Sequence, residues 1–112
     1  MKLTDLDAEL VVMESLTTFR RLEAGAMVAV AQGLLFWCPI CHADTTRAHP
    51  ILIWFNDRGV DPAWEPVARW HASGASIVDL SLTPSINLDT ESARAHPNSC
   101  RWHGWVTNGE AA

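Results

Sequence analysis

Leu34-Leu35-Phe36-Trp37 runs straight into Cys38-Pro39-Ile40-Cys41, and the reading of this stretch decides the fold. Four bulky apolar residues behind Gln32-Gly33 are too few for a helix and suit a short strand, which delivers the chain to a C-x-x-C turn. Upstream, Met27-Val28-Ala29-Val30-Ala31 predicts a second short strand, joined to the first by a tight turn at Gln32-Gly33. Downstream, Ile51-Leu52-Ile53-Trp54-Phe55 predicts a central strand, closed by the turn-forming Asn56-Asp57-Arg58-Gly59. Ile77-Val78-Asp79-Leu80-Ser81-Leu82 alternates, placing Val78, Leu80 and Leu82 on one face, and Thr83-Pro84 stops it. Trp105-Val106-Thr107 makes a last strand before the Asn108-Gly109 turn.

The beginning of the chain reads two ways. Thr4 and Asp7 suit the cap of a helix carrying Leu6, Leu10 and Met13, whereas Leu10-Val11-Val12-Met13 equally begins a strand, so residues 1–24 stay open. Residues 87–99 are polar and loop-like. No long amphipathic helix follows residue 24 and no helices alternate with strands. The expected fold class is therefore mostly β, with a small α+β variant left open: a compact antiparallel sheet domain that takes in residues 1–112 as one unit.

Composition sets the outer bounds. The 112 residues are 48% hydrophobic and 19% charged, the make-up of a globular domain of ordinary size. Thirteen acidic against eight basic residues leave a net charge of −5, which argues against a phosphate-tracking surface and hence against nucleic acid as a partner. No run approaches the ~20 apolar residues of a membrane-spanning helix. The opening Met1-Lys2-Leu3-Thr4-Asp5-Leu6-Asp7 lacks the marks of an export signal, so a cytoplasmic protein is expected.

Three cysteines in a reducing compartment suggest metal ligands more than disulfides. They fall in two turns, Cys38-Pro39-Ile40-Cys41 and Cys100-Arg101-Trp102-His103. Together these offer a Cys₃His set, Cys38, Cys41, Cys100 and His103, whose soft donors and tetrahedral habit select one zinc ion per chain. His42 or His96 are the candidates to replace His103 as fourth ligand. A shell of four protein ligands leaves no place for substrate, so the expected zinc is structural, with Trp37, Trp102 and Trp105 packed around it. Other readings of these residues are weaker. Cys38-Pro39-Ile40-Cys41-His42 matches covalent haem attachment formally, but no methionine follows it. A redox dithiol or a nucleophilic cysteine lacks the helix start that activates such a thiol.

Beyond the cysteines, the chain resembles a family of small phage, prophage and bacterial proteins known as a domain of unknown function. The resemblance rests on Leu3-Thr4-Asp5-Leu6-Asp7, Gly33 to Cys41, Leu80-Ser81-Leu82-Thr83-Pro84-Ser85-Ile86, and Cys100-Arg101-Trp102-His103-Gly104-Trp105-Val106-Thr107-Asn108-Gly109. It implies a metal site at Cys38, Cys41, Cys100 and His103, a phage or prophage origin, and for some bacterial relatives a place beside ubiquitin-like conjugation genes. The expectation is a non-enzymatic, zinc-stabilised accessory protein that binds a host or phage protein. The alternatives are an enzyme with a catalytic cysteine or zinc site, and zinc-dependent nucleic-acid binding through Arg20, Arg21, Arg47 and Arg94.

Overall fold

A computed structural model describes residues 1–41, 50–64, 68–87 and 102–112, and the structural statements that follow concern these. The chain opens with a single 3₁₀ turn, Leu3–Leu6, which buries Leu3 and Leu6. Strand β1 (Glu9–Met13) follows at once, so the two readings of the N-terminus are both partly right: Leu6 lies on a helical turn and Leu10 on a strand. Asp7, in the left-handed region at φ 50°, ends the turn and redirects the chain into β1.

Strands β2 (Phe19–Arg21), β3 (Gly33–Trp37) and β4 (Pro50–Trp54) join β1 in a four-stranded antiparallel sheet of order β2-β1-β3-β4. The expected strand at Ile51–Phe55 is present, but as the last member of this sheet and not as a central one. The expected strand over Met27–Ala31 is a 3₁₀ turn, Val28–Val30, that buries Val28 and leaves Val30 in solvent. Its capture is specific: the Arg58 guanidinium donates to the carbonyls of Val28 (2.7 Å) and Ala31 (3.0 Å), drawing the backbone out of an extended path.

Strand alternation gives the sheet two apolar faces. Leu10, Leu34, Phe36, Ile51 and Ile53 enter the main core with Leu3, Leu6, Leu80, Leu82 and Ile86. Val11 and Trp54 turn the other way and pack with Trp64 in a second core, where the two indole rings meet edge-on at 5.0 Å. Gly33 lies opposite Trp54, and a Cβ there would stand 2.5 Å from the Ile53 carbonyl and 2.8 Å from the Trp54 ring, so the close approach requires glycine.

The remainder forms two-stranded ladders: β5 (His71–Ser73) with β6 (Ser81–Thr83), β7 (Ile86–Asn87) with β8 (His103–Gly104), and β9 (Val106–Thr107) with β10 (Glu110–Ala111). The alternating segment 77–82 is a strand only in its second half. Ser76 and Asp79 form a reciprocal capping box that winds Ile77–Asp79 into a 3₁₀ turn, so Val78 is exposed while Leu80 and Leu82 are buried. Asn108 and Gly109, both at positive φ, turn β9 back onto β10 as the Asn-Gly pair predicts. The architecture is mostly β and antiparallel, with a radius of gyration of 13.2 Å. Among the described residues no helix is long and apolar enough to cross a membrane.

Candidate active site

The site is built on one of the two-residue ladders, β7 with β8. Ile86 pairs with Gly104 and Asn87 with His103, both antiparallel. Ile86 and Gly104 face inward and are buried, so Asn87 and His103 on the alternate positions face solvent. Carrying that register one residue further sets Ser85 opposite Trp105 and diagonal to His103. Diagonal neighbours on one face are within reach of a long side chain, and here the contact is made: Ser85 Oγ and His103 Nε2 are 3.1 Å apart. It is the one serine–histidine hydrogen bond among the described residues. With the proton on Nδ1, the hydroxyl donates to Nε2, the arrangement in which an imidazole takes the proton of an attacking alcohol.

Both strands are held from behind. The Thr83–Pro84 bond that leads into Ser85 is cis. Trp70 secures the serine peptide: its indole Nε1–H donates to the Ser85 carbonyl at 3.3 Å. Trp70 is itself fixed to the end of the large sheet, its N–H donating to Trp54 O (3.0 Å) and its carbonyl accepting from Asn56 N–H (2.8 Å). On the histidine strand, Gly104 has no room for a side chain, since a Cβ would lie 2.5 Å from the Trp102 ring and 2.7 Å from Ala112 O. Trp102 is buried beneath it and meets Phe36 edge-on at 6.1 Å.

The pair lies on an open face. Two clefts of about 360 and 440 Å³ occur elsewhere, one lined by Phe55, Asn56 and Arg69 among others and one by Glu9, Arg21 and Trp37 among others; neither is lined by Ser85 or His103. A half-buried serine beside an exposed histidine at the margin of a strand suits a chain-like substrate better than a small molecule enclosed on all sides.

The metal-ligand candidates are distributed differently. Cys38 and Cys41 are buried in the main core at the end of β3, while Cys100, His42 and His96 lie outside the described residues. His103 is exposed, with Nε2 on Ser85. Among the described residues no three His, Cys, Asp or Glu side chains are grouped to hold an ion. Trp102 and Trp105, expected to shield a metal together, part company: the first is 5% exposed in the core and the second 50% exposed. Ser85 received no role from the sequence, although it stands inside a motif that bears the family resemblance. The signal was local alternation, Ile86 inward in β7 and Gly104 and Val106 inward in β8 and β9, which leaves their neighbours Ser85 and His103 on outer positions.

The family model described as "bacterial ubiquitination-like system serine protease (BubE)" matches residues 13–112, and the chain belongs to that family. No curated protein and no solved structure matches the chain. The family overturns the expectation of a non-enzymatic, zinc-stabilised phage accessory protein acting through binding, and neither the family nor the described residues support the zinc and phage character attached to it. The expectation of a non-enzymatic protein turned on His103, whose position in the chain has a double meaning. A C-x-x-H turn spaces a histidine for an ion, but the β7–β8 register brings this one to a serine hydroxyl.

Proposed function

We propose that the protein is a serine peptidase of a bacterial ubiquitination-like system, with Ser85 as nucleophile and His103 as general base. The observation that carries the reading is the 3.1 Å contact between Ser85 Oγ and His103 Nε2 on an accessible strand pair, in a chain of a serine protease family. Ser85 Oγ attacks the carbonyl carbon of a peptide or isopeptide bond and passes its proton to His103 Nε2. The tetrahedral adduct then breaks its C–N bond, the amine leaves with the proton from Nε2, and the acyl group stays on Ser85 as an ester. Water repeats the sequence, giving a proton to His103 and releasing the carboxylic acid and the free serine. The substrate class is protein, in keeping with the open face around the pair and the conjugation system named by the family.

The test is covalent labelling with an alkyl fluorophosphonate. Intact-mass measurement should show one adduct per chain, peptide mapping should place it on Ser85, and the His103→Ala protein should label far more slowly. An adduct mapped to another residue, or equal labelling of the His103→Ala protein, overturns the assignment.

Cys38, Cys41 and Cys100 are a separate proposal, as sulfur donors to a metal ion that stabilises the fold and takes no part in this reaction. With His103 assigned as the base, His42 or His96 would supply the remaining nitrogen. Metal analysis of the purified chain decides it: one ion lost together with the Cys38→Ser substitution supports the site, and a metal-free folded protein dismisses it.

A further inference from the structure

We infer that Trp105 is the wall of a substrate subsite, the surface against which a bulky, uncharged apolar side chain next to the scissile bond lies. The inference rests on the assignment of Ser85 and His103 and adds a substrate preference to it. From His103 to Thr107 exposed and buried residues strictly alternate, so His103, Trp105 and Thr107 project from one face while Gly104 and Val106 are buried. The β7–β8 register, carried one residue on, sets Trp105 directly across from Ser85. Residues so placed have Cβ atoms about 4.5–5.5 Å apart, and the indole then flanks the route to Oγ.

Exposure makes the same point independently. Trp54, Trp64 and Trp102 are 0–5% exposed, whereas Trp105 is 50% exposed. A tryptophan left in water forfeits a large burial gain, and one beside a nucleophile regains it when substrate covers the ring. The ring is also carried on fixed backbone: Trp105 N–H donates to Ala112 O (2.8 Å) and Trp105 O accepts from Ala112 N–H (3.0 Å). A rigid aromatic platform binds at low entropic cost. Asn87 and Thr107, which share the face, carry no charge, and Glu110, opposite Thr107, is paired with the N-terminal amino group at 3.6 Å, so an apolar substrate side chain is the better complement to the ring.

The experiment compares fluorogenic peptides in pairs, identical except for leucine or glycine on one or the other side of the cleaved bond. For the intact protein, kcat/KM should favour leucine over glycine on one side by about tenfold or more, the scale that apolar contact supplies. In Trp105→Ala that ratio should collapse toward one, and in Trp105→Phe it should be intermediate. Using the ratio removes any general loss of activity or of folded protein. An unchanged ratio in Trp105→Ala, or no leucine preference in the intact protein, overturns the subsite. If the alanine variant does not fold, an unchanged ratio in Trp105→Phe does the same. Ser85→Ala separates the two assignments: cleavage that survives it removes the nucleophile, whereas an unchanged ratio in Trp105→Ala with Ser85 essential removes only the subsite.

Discussion

The four-stranded sheet and the short ladders that follow it sit at opposite ends of a scale of order. In the sheet, β1, β3 and β4 are five residues long and both faces are covered, one by the main core and one by Val11, Trp54 and Trp64. In the ladders the strands are two or three residues long, and the reactive face is left open to solvent. The proposed chemistry is nonetheless in the second region. A two-residue ladder cannot fix two side chains by its own cohesion, so the geometry is borrowed: Trp70 ties Ser85 to the end of β4, and Trp102 seats Gly104 on Phe36. The sheet thus supplies rigidity and the ladders supply access.

The comparison is broken most severely by removing the reacting pair. Ser85→Ala should lower hydrolysis by about three orders of magnitude or more, His103→Ala should do nearly as much, and the double variant should be no worse than either, because residues acting as a unit are not additive. Steady-state rates and urea melts on the same samples check it, with stability expected to change little. Next in size is the sheet itself. Trp54→Ala should cost about 3–5 kcal/mol by emptying the second core, read as a fall in the urea midpoint.

A matched pair of glycines sharpens the contrast. Gly33→Ala and Gly104→Ala each force a methyl group against neighbours at 2.5 Å, and each should cost about 1–3 kcal/mol. Gly33→Ala should leave the labelling rate of the folded fraction unaltered, whereas Gly104→Ala should slow it by shifting the His103 strand; equal effects on labelling would refute the division of labour. Smallest is Trp70→Phe, which keeps an aromatic ring of smaller size and removes one hydrogen bond to the Ser85 carbonyl, about 1 kcal/mol. It should slow labelling several-fold with little change in melting temperature.

What the sequence disclosed follows the same division. Leu34 to Trp37 and Ile51 to Trp54 were legible because each strand buries a run of apolar residues, and the Asn108-Gly109 turn because its backbone angles demand those residues. Val28–Val30 and Ile77–Asp79 were not, because the reasons for their 3₁₀ turns are Arg58, thirty residues on from Val28, and a local contest between Asp79 as an outward strand residue and as a cap. Of the proposed catalytic pair, His103 drew notice through its spacing from Cys100. Ser85 did not, since a lone serine after a proline has no local signature. Only strand pairing across eighteen positions gives it meaning.

That pairing has a further consequence for the sequence that connects its strands. Because β7 and β8 are clamped to each other directly, the length of the connecting sequence between them is a nearly free variable; doubling a flexible connection costs only about 0.6 kcal/mol in closure entropy. A change in that length would leave the distance from hydroxyl to imidazole as it is, because the strand pairing sets it and the connection does not.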